Sequence, residues 1–140
     1  MAKDALTNST EAELLNFLVH QQVPTPFDLY LGALSTDPGE TGAGVELAGN
    51  GYARVQLNPS DFTSPIANTY PLTGSYCVNT NEVTLPEATG AWAAITHIEF
   101  WDEMTGGTMK MKKELVPNRT LSEAGEQLTF PPGKLKISID

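Results

Sequence analysis

The sequence predicts an all-β chain: an antiparallel β-sandwich of about eight short strands, arranged as a jelly roll, with one short N-terminal helix. Three observations carry this. From Phe27 onward, apolar and polar residues alternate with a period of two in short segments, as half-buried strands do. Runs of Gly, Pro, Asn and Asp punctuate those segments at the places where a chain must turn. No helical crossover lies between them, and parallel pairing needs a connection of a dozen or more residues, so the strands are expected to pair antiparallel. A jelly roll is the common arrangement of eight such strands. The chain of 140 residues has the size of one domain, which buries roughly 68–70% of its unfolded surface. It divides into an N-terminal arm, residues 1–26, and a β-sandwich domain, residues 27–140.

The helix is placed at about Glu11 to Gln21. Thr10 with Glu13, and Asn8 with Glu11, have capping-box spacing, and Leu14, Phe17 and Leu18 share one face. Pro24 and Pro26 stop it. The first strand runs from Phe27 to Leu34 and breaks at Ser35-Thr36-Asp37-Pro38-Gly39. A weak strand at Val45 to Leu47 meets the tight-turn pair Asn50-Gly51 and returns as Tyr52 to Leu57, a predicted hairpin. Asn58 to Gly74 reads as a long exposed loop and a contact candidate. Short strands follow at Tyr76 to Val78 and Glu82 to Leu85. The clearest strand is Ala93 to Trp101, with Ala94, Ile98 and Phe100 on one face and Ile95, His97, Glu99 and Trp101 on the other. It turns at Asp102 to Gly107 and returns as Thr108 to Val116. Glu126 to Phe130 and Lys134 to Ile139 close the chain across Pro131-Pro132-Gly133.

Composition narrows the chemistry. With 17 acidic against 8 basic residues the net charge is −9, which opposes nucleic-acid binding. Lys110, Lys112 and Lys113 are read as a solvated strand face. No stretch reaches the ~20 apolar residues of a membrane span, and none near Met1 resembles a secretory leader, so the chain is expected to be made and kept in soluble form and to stay off membranes. The single cysteine, Cys77, is expected to be buried and cannot form an internal disulfide. Two histidines, His20 and His97, are the only candidate catalytic bases, and neither sits in a triad motif. Two histidines and one cysteine are too few nitrogen and sulfur donors for a typical zinc site. Asp37, Glu40 and Glu46 cluster near a Gly-rich loop but lack the spacing of a calcium loop. No enzyme, cofactor or metal is expected. The residues assigned to contacts are the helix face Leu14, Phe17 and Leu18, the strand face His97, Glu99 and Trp101, and Tyr52 with Arg54. Trp92 is read as capping the core.

Three stretches carry a resemblance: Leu29 to Arg54 (LYLGALSTDPGETGAGVELAGNGYAR), Ala88 to Gly107 (ATGAWAAITHIEFWDEMTGG) and Leu121 to Asp140 (LSEAGEQLTFPPGKLKISID). Together they resemble a family of small tailed-phage virion proteins of the head decoration or tail fibre type. The resemblance implies a cofactor-free virion component, oligomeric and plausibly trimeric. The favoured expectation is a cement protein on the capsid surface that bridges major capsid proteins. The alternative is a tail or fibre protein that binds a host-surface glycan or another tail component.

Overall fold

The computed structural model describes residues 4–139; the first three residues of the arm and Asp140 lie outside them. Ten strands and one α-helix form among the described residues: β1 (Asp4–Leu6), α1 (Asn8–His20), β2 (Leu29–Leu34), β3 (Val55–Leu57), β4 (Ile66–Ala67), β5 (Ser75–Val78), β6 (Val83–Thr84), β7 (Ile95–Trp101), β8 (Met109–Arg119), β9 (Thr129–Phe130) and β10 (Lys136–Ile139). They make a five-stranded sheet in the order β1-β8-β7-β2-β3, a three-stranded sheet β10-β5-β4 and a two-stranded sheet β6-β9. Every one of these pairings is antiparallel. The antiparallel β-sandwich with one helix expected from the sequence is the fold the chain adopts. No helix among the described residues is long and apolar enough to cross a membrane.

The core lies on the inner face of the large sheet. Leu31, Ala33, Ile95, Ile98 and Phe100 share one apolar cluster with Leu85, Leu128, Phe130 and Leu135 from the smaller sheets and their flanks. Burying each such Leu or Ile contributes roughly 1.5–3 kcal/mol. Trp92 caps this cluster as expected, edge-on to Tyr52 with ring centroids 5.5 Å apart, and its indole N–H donates to the Asn50 carbonyl at 2.8 Å. Asn79 ties the far end together. Its amide donates to the Phe130 carbonyl at 3.0 Å, and its oxygen accepts from the Leu135 N–H at 2.8 Å.

Several expectations are corrected. Ile95 joins Ile98 and Phe100 in the core rather than facing away with His97, because the β7–β8 register shifts between Ile95 and His97. Asn50 and Gly51 do turn with positive φ (48° and 80°), yet the flanking segments do not pair with each other. Both instead pair along β2: Leu34 bridges Glu46, and Leu31 opposes Val55. β1 was not foreseen at all. It pairs with Met111 to Lys113 of β8, which stitches the start of the arm into the main sheet. Cys77 is half-buried rather than buried.

The helix departs most from expectation. It starts at Asn8, and its N-cap is Thr7, whose hydroxyl donates to the Met109 carbonyl at 2.7 Å instead of capping the helix. Glu13 does not close a capping box: its carboxylate binds Lys110 at 2.8 Å. The ion pair holds α1 on the body with no residue of the helix buried.

Candidate functional site

The outer face of the large sheet is a buried polar layer. Lys112 opposes Glu99 across β7 and β8, and Gly32 opposes Glu99 across β2. The segment from Ser35 to Arg54 covers them. Asp37 receives Lys112 at 2.6 Å, and Glu46 receives both Arg54 Nε and Arg54 Nη2 at 2.8 Å in a bidentate pair. Tyr52 donates to Glu46 at 2.8 Å and accepts from the Ala33 N–H at 2.9 Å. Arg54 lies over the Trp101 ring, 3.8 Å from its centroid, and donates to the Glu103 and Gly106 carbonyls at 2.8 and 2.7 Å. A side chain at position 32 would put a Cβ 2.9 Å from both the Glu99 carboxyl and the Tyr52 hydroxyl, so a glycine there is what lets this layer close.

Electrostatics follow from that packing. The Glu99 carboxyl is fully buried, and neither of its oxygens has a hydrogen-bond partner. Burial first, and then the nearby Glu46 carboxylate, raise its pKa to about 8, against the opposing pull of the Trp101 indole and the Arg54 guanidinium. The Tyr52 hydroxyl is raised above its usual range, chiefly by burial. The Lys112 hydrogen bond, followed by the Gly39 N–H, holds Asp37 below the ordinary carboxylate range.

The structure thus gathers His97, Glu99, Trp101, Tyr52 and Arg54, but inside the chain. His97, Glu99 and Arg54, expected on a contact surface, are buried, and Tyr52 and Trp101 are half-buried. The covering segment supplies Glu46 to Tyr52 and Arg54 and places Asp37 beside His97, whereas the Glu99 oxygens and the Trp101 indole N–H are buried without a hydrogen-bond partner. Lys110 and Lys112 are corrected in the same way. They are buried and paired, Lys110 with Glu13 and, at 3.4 Å, with Asp102. Asp37 and Glu46 serve as anions for this layer. Leu14, Phe17 and Leu18 are the assigned contact residues that stay exposed.

One accessible concavity lies beside the layer. A groove of about 820 Å³ runs between Pro26 to Tyr30 on one side and Asp102 to Thr105, the β7–β8 hairpin, on the other. Arg54 fixes the hairpin wall from beneath, and Asp102 accepts from the Thr108 N–H at 2.6 Å to close its turn. Phe27 is held by Lys110, whose ammonium sits 4.8 Å from the ring centroid. Phe27 and Tyr30 offer ring surface, Met104 is exposed, and Asp28, Asp102 and Glu103 supply carboxylates. Such a groove can stack a flat apolar face and accept several hydroxyl hydrogen bonds. Sequence reasoning missed it because its two walls are more than seventy residues apart. The stiff Pro24-Thr25-Pro26 run beside an exposed aromatic was the legible hint.

No curated protein matches the chain. The family model described as podophage GP4 fiber I protein gp80 matches residues 5–138, almost the whole length. The chain therefore belongs to the podophage GP4 fiber I protein family and is a structural protein of a bacteriophage virion.

Proposed function

We propose that the protein is a non-enzymatic tail-fibre component and that the groove between Phe27 and the β7–β8 hairpin takes a glycan of the host surface. The family match carries the fibre reading, and it favours this alternative over the capsid-coating role expected from the sequence. The groove supports the ligand class: aromatic rings suit the C–H face of a sugar, and Asp28 and Glu103 suit its hydroxyls. Action by binding alone is consistent with His97, one of the two candidate bases, facing Thr96 and Asp37 inside the polar layer.

The test is a glycan array with the wild-type chain and with Phe27→Ala and Glu103→Gln. The expected outcome is binding to a host-derived glycan that each substitution weakens at least tenfold while the circular dichroism spectrum is unchanged. Silence on the array, together with antibody labelling of heads rather than tails in micrographs, would restore the capsid-coating reading.

A further inference from the structure

A second, smaller cavity adjoins the groove and shares Phe27, Asp28 and Pro59 with it. Its volume is about 250 Å³. Leu29 opposes Leu57 across β2 and β3, Cys77 opposes Ile137 across β5 and β10, and all four line the cavity, which is therefore an unfilled mouth between the large sheet and the three-stranded sheet. Its floor is the core itself: Leu57 belongs to the apolar cluster, and Leu29, Phe62 and Ile137 pack against it. Water in such a place has few polar partners, so an apolar group that displaces it gains free energy.

We propose that this cavity is a subsite of the glycan groove that seats the acetamido group of an N-acetylated, uncharged sugar, a reading that rests on the groove's taking a glycan. An acetamido group makes three demands, and the lining residues meet each. Its methyl needs an apolar hole, which Leu29, Leu57, Phe62 and Ile137 supply. Its N–H needs an acceptor, and the Asp28 carboxylate borders both cavities. Its carbonyl needs a donor, and the Asn58 amide keeps a second N–H beyond the one it directs to Asp61 at 3.3 Å. Continuity through Phe27 lets one sugar stack on the ring while its substituent turns into the mouth. Charge selects against other substituents. Asp28, Asp102 and Glu103 line the groove, Lys110 is already paired with Glu13 and Asp102, and the chain carries a net charge of −9, so a carboxylated sugar is repelled. A bare hydroxyl or a free ammonium in the cavity would lose its hydration against carbon.

Glycans that share a backbone and differ only in carrying acetamido, hydroxyl, free amine or carboxylate groups test it, among them the linear trimers of N-acetylglucosamine, glucose and glucosamine. Acetamido members should bind at least about tenfold more tightly than their hydroxyl partners, and Cys77→Leu, which fills the mouth, should bring the two within about twofold. Should that variant not fold, the wild-type thiol gives an independent reading, since Cys77 is the single cysteine. Its alkylation by iodoacetamide should slow more with an acetamido glycan bound than with the hydroxyl partner at equal occupancy. Equal slowing, or a preference that survives Cys77→Leu, would place the acetamido group elsewhere and overturn the subsite. Equal binding of acetamido and hydroxyl members, or a preference for the amine or carboxylate, would overturn it too and leave the groove standing. Silence from every glycan would overturn the groove reading and the subsite with it.

Discussion

Glu99 is the residue at which the fold and its electrostatics conflict most. Its folded-state pKa is raised to about 8 from an ordinary 4.5, so between those pH values the folded chain holds a proton that the unfolded chain has lost. Stability therefore falls as pH rises through that window and levels off above it. Asp37 acts in the opposite sense: its pKa is lowered by Lys112, and its contribution disappears as pH falls through the acidic range. The two together place maximal stability on the mildly acidic side of neutrality. Glu99→Gln keeps the volume and removes the titration. Thermal melts of the wild type should fall between pH 5 and pH 9 by the equivalent of a few kcal/mol, and those of the variant should stay level. Parallel profiles for the two proteins would show that Glu99 is not the group responsible. Sequence gave no access to this, since alternation puts Glu99 on the second face of β7 without saying that Ser35 to Arg54 folds over that face.

Among the elements, the β7–β8 hairpin depends on a residue from another part of the chain. Arg54, itself buried, joins Glu46 to the Glu103 and Gly106 carbonyls and stacks on Trp101, so its removal leaves the half-buried Glu46 carboxylate without its cation and the hairpin without its clamp. Arg54→Ala should lower the unfolding free energy by roughly 3 kcal/mol, and Arg54→Lys should recover little of it because an ammonium cannot make the bidentate pair. Urea denaturation checks both, and a loss under about 0.5 kcal/mol would mean the clamp is dispensable. At this scale the sequence was informative where period and turn chemistry agree. β7, β8 and β10 were placed close to their observed bounds. It was misleading where a long-range competitor was at hand: the Asn50-Gly51 turn formed as predicted, but β2 captured both flanking segments along one edge. The helix was legible as a helix, whereas its orientation was set by Lys110, ninety-seven residues from Glu13.

For the whole molecule, a five-stranded sheet with an apolar inner face and a buried polar outer layer keeps two notable features accessible among the described residues. One is the groove beside the β7–β8 hairpin, and the other is the apolar face of α1. The contact residues read from sequence divided along the same line, since helix residues stayed outside and the β residues turned inward. The protein is a virion structural protein, and the family match supports the tail over the capsid surface. Capsid coats and tail parts differ in abundance by more than an order of magnitude, so the most direct measurement is the copy number per virion by quantitative mass spectrometry of purified particles. The fibre account predicts a few copies up to a few tens. Hundreds of copies per particle would contradict it and assign the chain to the capsid.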